Sequence, residues 1–334
     1  MNKNFLLIAV VGLLMAGCSE NVVVENQAEQ VAIGFRTLND RVTRSANDQT
    51  SNYGVYAVTS TGTSWFMNNL LVLGNSDTYS PVRYWPTSGA TVSFYAYAPH
   101  NSANALITST TLGALPVIYT VPATADEDFT IATPLTGKQQ GDGTMALAFR
   151  HMLSKVSVRA VLHQDLLDAG FSMVTTDASV DMAVSRNSAS TSLVDPTPFV
   201  SDLGVENFVT YNKANTYPGG VTVPPTFIIM PQQTIVGATS KISFVMKGLK
   251  IYASSGDLFF PKSVDIVNFQ TYSILGSDIP GDAFEAGKHY TITFTISSSS
   301  KDSDGQPLFN EGAIISFSST VADWTAVPVG LNQN

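Results

Sequence analysis

The residues that first invite a chemical reading are four histidines, two short acidic runs and one cysteine. His100, His151, His163 and His289 are scattered, and no His-x-x-x-His or His-Glu-x-x-His pair could hold zinc from one helix face. His151 stands in Phe149-Arg-His-Met-Leu153 among apolar neighbours, which predicts a hydrogen-bonded packing histidine rather than a general base. Asp126-Glu-Asp128 could gather around a hard cation. Lys301-Asp-Ser-Asp-Gly305 carries an Asp-x-Asp-Gly fragment of a calcium loop without its closing glutamate, and both runs read as solvated turns. A Gly-x-Ser-x-Gly nucleophile elbow and a phosphate-cradling Gly-x-x-x-x-Gly-Lys loop are both missing. Glycosidase carboxylates pair in space rather than in sequence, and Trp65, Trp85 and Trp324 do not make a tryptophan-rich sugar cleft. The expectation is a non-enzyme with no cofactor and no metal.

Cys18 is the single cysteine of 334 residues, so a disulfide within the chain and a thiolate metal site are excluded by count. It follows Lys3, an apolar run from Phe5 to Leu14 broken only by Gly12, and the small residues Ala16 and Gly17. A basic start, an apolar stretch too short to span a bilayer and a small-residue end form a secretory signal. Ala16-Gly17-Cys18 resembles the bacterial lipobox, in which the cysteine is diacylated and becomes the new N-terminus. Residues 1–17 then read as signal peptide and Cys18 as the lipidation site, an anchor and not a nucleophile. Each buried methylene of a thioether-linked lipid adds about 0.8 kcal/mol of membrane affinity.

The chain carries a formal charge of −9; removal of residues 1–17 takes away one lysine and no acid, giving −10. An acidic surface repels phosphate backbones, which argues against nucleic-acid binding. Hydrophobic residues make up 44% and charged residues 13%, enough apolar surface to build cores. A mature length just over 300 residues suits two ordinary domains.

The elements that must position any site are strands. Alternating or β-branched apolar runs recur at 31–35, 53–58, 91–97, 117–121, 145–149, 155–162, 226–230, 242–246, 290–296 and 313–318, separated by turn formers such as Pro218-Gly-Gly220 and Ser254-Ser-Gly-Asp257. Helical pattern is scarce, with short candidates at Phe149–Leu153 and Asp202–Phe208. An all-β chain of sandwiches or open barrels follows. Residues 18–30 read as a polar tether, and the glycine-punctuated Gly137–Gly143 stretch as the break between domains 31–140 and 141–334. In Thr91–Tyr97, Val92, Phe94 and Ala96 alternate with Tyr95 and Tyr97, so one face is expected to fill a core while the tyrosines cover the other.

Several segments, in order, resemble the fimbrillin-like family of Bacteroides-type organisms, whose members build type V pili. They are Tyr84-Trp-Pro through Phe94-Tyr-Ala-Tyr-Ala-Pro99, Asp128-Phe-Thr-Ile-Ala132, Leu147-Ala-Phe-Arg-His-Met-Leu-Ser-Lys-Val156, Phe227-Ile-Ile-Met-Pro-Gln-Gln233, Phe284-Glu-Ala-Gly-Lys-His-Tyr290 and Val321-Ala-Asp-Trp324. The resemblance implies two tandem transthyretin-like, Greek-key β-sandwich domains behind a lipidated tether, on a precursor carried to the outer membrane. It also implies an Arg- or Lys-directed protease that removes the N-terminal strand, and a strand of the next subunit that fills the groove left behind.

Val31–Thr37 fits such a first strand, and Arg44, in the polar segment that follows, resembles the family's processing position, with Arg41 and Arg36 as alternatives. Pro328 and Gly330 would interrupt a long strand after Trp324, so the donor is either 313–321 or a short 325–331 piece, which favours a tip or accessory role over a stalk. The implied partners are other pilin subunits by donor-strand exchange, the outer membrane through the lipid, and a ligand on a host or bacterial surface. The alternative is a surface glycan-binding lipoprotein that uses Tyr79, Tyr84, Tyr95 or Tyr211 as stacking platforms.

Overall fold

Strand-forming alternation governs almost every element of the computed structural model, which describes residues 30–38, 52–122, 127–174, 178–184, 187–199, 209–214, 226–233, 243–260, 268–273, 279, 281, 283–298, 300–301, 303, 307–308 and 314–324. The chain is all-β, as its pattern predicts; among the described residues the one α-helix is the five-residue Gln164–Asp168, capped by the His163 side chain. Phe149–His151, expected as a helix, is a strand instead. Its backbone pairs antiparallel with Thr130–Ala132, and that ladder overrides the weak local helical pattern. The second helix candidate, Asp202–Phe208, lies outside the described residues, as do Cys18, Arg41, Arg44 and the tether.

The largest sheet has seven strands. Phe149–His151, Thr130–Ala132, Val92–Ala98, Tyr53–Thr59, Met67–Leu73 and Thr78–Tyr79 run in that order, and Leu135–Lys138 also pairs with Val92–Ala98. Both faces of this sheet are buried. Val55, Val92, Phe94 and Ala96 face a first core that also holds Ile33, Phe35, Trp85, Met145 and Leu147. Tyr56, Tyr95 and Tyr97 face a second, larger core shared with Val156, Ile292, Phe294 and Trp324. The tyrosines of Val92–Ala98 are therefore core residues and not a cover over a wet face. Tyr56 lies over Tyr97 with ring centroids 6.3 Å apart, and burial pushes its hydroxyl pKa up to about 12.

Beneath the second core lies a four-stranded sheet in the order Thr226–Ile229, Ser154–Leu162, Lys288–Ser297, Ile314–Asp323. Its two central strands run parallel, in register from Lys155 opposite His289 to Leu162 opposite Ile296. The chain must therefore cross over between them, and Ser179–Val184, Val209–Ala214, Ser243–Lys247 and Asn268–Ser273 form a further four-stranded sheet within that excursion. Hydrogen bonding continues past residue 140: Met145–Leu147 pairs with Phe35–Thr37, and Ser188–Ser192 pairs with Pro116–Thr120.

Candidate functional site

The leading segment, residues 30–38, lies in the first core as an extended ribbon. Ile33 and Phe35 point inward and are buried, while Ala32, Arg36 and Leu38 are exposed. This is the two-residue period of a strand with one face on a core. On one side the ribbon runs antiparallel to residues 83–85: the Ile33 amide donates to the Arg83 carbonyl at 2.9 Å and the Trp85 amide to the Val31 carbonyl at 3.0 Å. On the other it runs parallel to Met145–Leu147, with the Met145 amide on the Gly34 carbonyl at 2.8 Å and the Leu38 amide on the Leu147 carbonyl at 2.7 Å.

The groove floor is aromatic. Phe35 meets Tyr79 and Phe94 edge-on, at 5.4 and 5.7 Å between centroids, and Trp85 meets Phe94 at 6.0 Å. Tyr79 also acts on the backbone, because its hydroxyl donates to the Ile33 carbonyl at 2.6 Å and accepts from the Arg83 amide at 3.3 Å. Burial raises its pKa. Burial of Ile33 and Phe35 contributes roughly 1.5–3 kcal/mol each. Tyr79, Trp85 and Met145 come from separate elements, so no local sequence pattern marks them as groove residues.

Arg36 is exposed, but its main chain lies in the ladder opposite Ala146, whereas a protease needs an extended backbone free of partners. Among the proposed sugar platforms, Tyr95 is buried at 6% exposure, and Tyr79 is half-buried under the leading segment. Tyr84 is exposed, and the Tyr211 side chain is outside the described residues. Of the acidic run at 126–128, Glu127 accepts hydrogen bonds from Ser102 and Tyr119, and Asp128 is committed to His151. Asp126 lies outside the described residues, as do Asp302, Asp304 and Gly305 of the second run.

A second cluster lies at the second core, around Trp324. The His151 Nδ1 is 2.6 Å from Asp128 Oδ2, and the ring stacks on Trp324 at 4.2 Å with an 8° interplanar angle. Lys155 Nζ lies 5.6 Å from the Trp324 ring centroid. The Trp324 amide donates to the Gly287 carbonyl, and the Gly287 amide to the Leu153 carbonyl, both at 2.8 Å; Gly287 has φ +72°, the turn geometry its residue type allows. The indole Nε1 is buried with no hydrogen-bond partner among the described residues, so stacking and burial dock this side chain. His151 thus has a packing and linking role.

The leading ribbon thus covers an apolar groove in an all-β chain. The family model described as fimbrillin-like matches residues 41–324, and the chain belongs to that family. Fimbrium subunit Fim1C of Phocaeicola vulgatus is 29% identical over 121 residues, covering 30% of this chain and 32% of that protein, so the match spans about a third of the relative's length. A fimbrial protein of Bacteroides vulgatus shares the fold at TM-score 0.55 and 16% identity, over 88% of this chain and 99% of that one. A candidate cell-adhesion protein of Bacteroides uniformis does so at TM-score 0.53 and 18% identity, over 90% and 99%.

Proposed function

We propose that this chain is a structural and adhesive subunit of a surface fimbrium, without enzymatic activity, which joins its neighbours by strand replacement. The precursor is lipidated at Cys18 and held at the outer membrane. Cleavage after Arg44 cuts the leading segment from the body, and a strand of another subunit takes its place. The observation that carries this reading is the leading segment itself, whose Ile33 and Phe35 plug an aromatic groove through a few main-chain hydrogen bonds. Once it has gone, Phe94, Tyr79 and Trp85 lose their cover, and an open apolar groove with unpaired backbone invites another strand.

Ile314–Asp323 is the donor we favour. Ile315-Ser-Phe317 repeats the Ile33-Gly-Phe35 spacing of apolar residues in the sequence. The strand also lies at the edge of its sheet, paired only with Lys288–Ser297 among the described residues. A tip or accessory position fits a donor that must come from within its own sheet.

The test is trypsin treatment of the purified chain lacking the signal, followed by gel analysis without boiling. Cleavage within the 39–46 segment should yield a ladder of oligomers, and the double substitution Arg41→Ala with Arg44→Ala should abolish both that cleavage and the ladder. A cleaved chain that remains monomeric would overturn the proposal, and retention of that monomer on a glycan column would favour the sugar-binding alternative.

A further inference from the structure

We infer that Trp324 is a latch: it holds the Ile314–Asp323 strand on its own subunit by docking the strand's end into a socket built where the seven-stranded and four-stranded sheets approach, and it sets how readily the strand is released. The inference rests on the strand-replacement reading above and adds to it a control on the donor side.

Most of the strand's described side chains face solvent. Ser316, Ser318, Thr320, Val321, Ala322 and Asp323 are exposed, and most of these side chains are small. Its ladder with Lys288–Ser297 is one-sided among the described residues. One residue further on, Trp324 is buried at 1% exposure. Its socket draws on both sheets. His151 ends a strand of the seven-stranded sheet, Asp128 fixes that imidazole from the start of the next strand, and Lys155 approaches the indole ring. The Glu285–Lys288 turn closes the socket, with Gly287 bonded to Leu153 on one side and to Trp324 on the other. An exposed Lys288–Asp323 pair at 2.5 Å lies beside it and is screened by solvent.

Lifting the end of the strand therefore requires extraction of a large, buried aromatic ring. The segment 145–155 joins this socket to the groove. Met145–Leu147 pairs with the leading segment, and His151 and Lys155 follow in the same stretch of chain. The socket and the leading segment thus share one support.

The test is amide hydrogen exchange on the full mature chain, with Trp324→Ala and the milder Trp324→Phe. Peptides covering 314–323 should exchange at least tenfold faster in Trp324→Ala and to an intermediate extent in Trp324→Phe, while Val92–Ala98 keeps its wild-type protection. After cleavage at Arg44, oligomers should form faster in the same order. Unchanged exchange at 314–323, or faster exchange spread equally over the whole chain, would overturn the latch. Locally faster exchange with an unaltered oligomerisation rate would uphold the anchor, and it would count against Ile314–Asp323 as the donor and so against that part of the proposed function.

Discussion

The Tyr79 hydroxyl donates a 2.6 Å hydrogen bond to the main-chain carbonyl of Ile33, while the Tyr79 ring meets Phe35 edge-on at 5.4 Å. One side chain thus touches both the backbone and an apolar side chain of the leading segment. A one-residue slip would turn Ile33 and Phe35 to solvent, so a contact that recognises a carbonyl between them fixes the register.

Tyr79→Phe keeps the ring and removes the hydroxyl. It should destabilise the intact chain by about 1–2 kcal/mol, the cost of a lost hydrogen bond that leaves a carbonyl without its partner. Urea unfolding measures this, and the same substitution should have much less effect in a chain whose leading segment has been cut and washed away.

Phe35→Ala should cost about 3–5 kcal/mol in the intact chain, since it opens a cavity against Phe94 and Tyr79. After cleavage and removal of residues before Ser45, the position no longer exists in the molecule and the two proteins should unfold identically. A persisting difference would mean that the segment is retained in the groove.

Gly54 tests the wall between the cores. A Cβ there would lie 2.5 Å from Asn69 Oδ1 and from Cε1 of Tyr97, a buried ring whose hydroxyl donates to that same Asn69 oxygen. Gly54→Ala should lower stability by roughly 1–3 kcal/mol or more through overpacking, seen as a fall in Tm.

His289 should make the fold sensitive to acid. Burial, with the nearby Lys155 charge as a smaller cause, holds its pKa below the usual 6.5, and its Nε2 lies 2.8 Å from Ser157 Oγ. The folded state therefore prefers the neutral ring. As pH falls through 6.5 the unfolded chain takes up the proton first, so the stabilising contribution, complete above 6.5, declines until the depressed folded pKa is reached. Urea midpoints measured between pH 7.5 and 5 should fall more steeply in the wild type than in His289→Gln.

Much of this architecture is legible in the sequence because alternation of side chains is a local property. Val92, Phe94 and Ala96 point to a core as their pattern predicts, and Gly287 turns where a glycine precedes an alternating run. The opposite face of that strand was not legible. Tyr95 and Tyr97 are amphipathic residues that suit either a covered or a wet surface, and the second core that buries them is built from residues beyond position 150 as well. Phe149–His151 was misread for a related reason, since a three-residue strand has too few side chains to show a period and depends on its partner ladder. The leading segment is visible as a strand, but its parallel pairing with Met145–Leu147 is a contact over more than a hundred residues that no local pattern records.

The groove under the leading segment should accept a strand from another chain once that segment is cut. A labelled peptide spanning residues 313–322, titrated against intact and Arg44-cleaved protein with fluorescence anisotropy as the readout, tests it directly. Binding should be saturable on the cleaved form with displacement of residues 30–38, undetectable on the intact form, and at least tenfold weaker for a Phe317→Ser peptide. Binding to neither form, or equal binding to both, would contradict it.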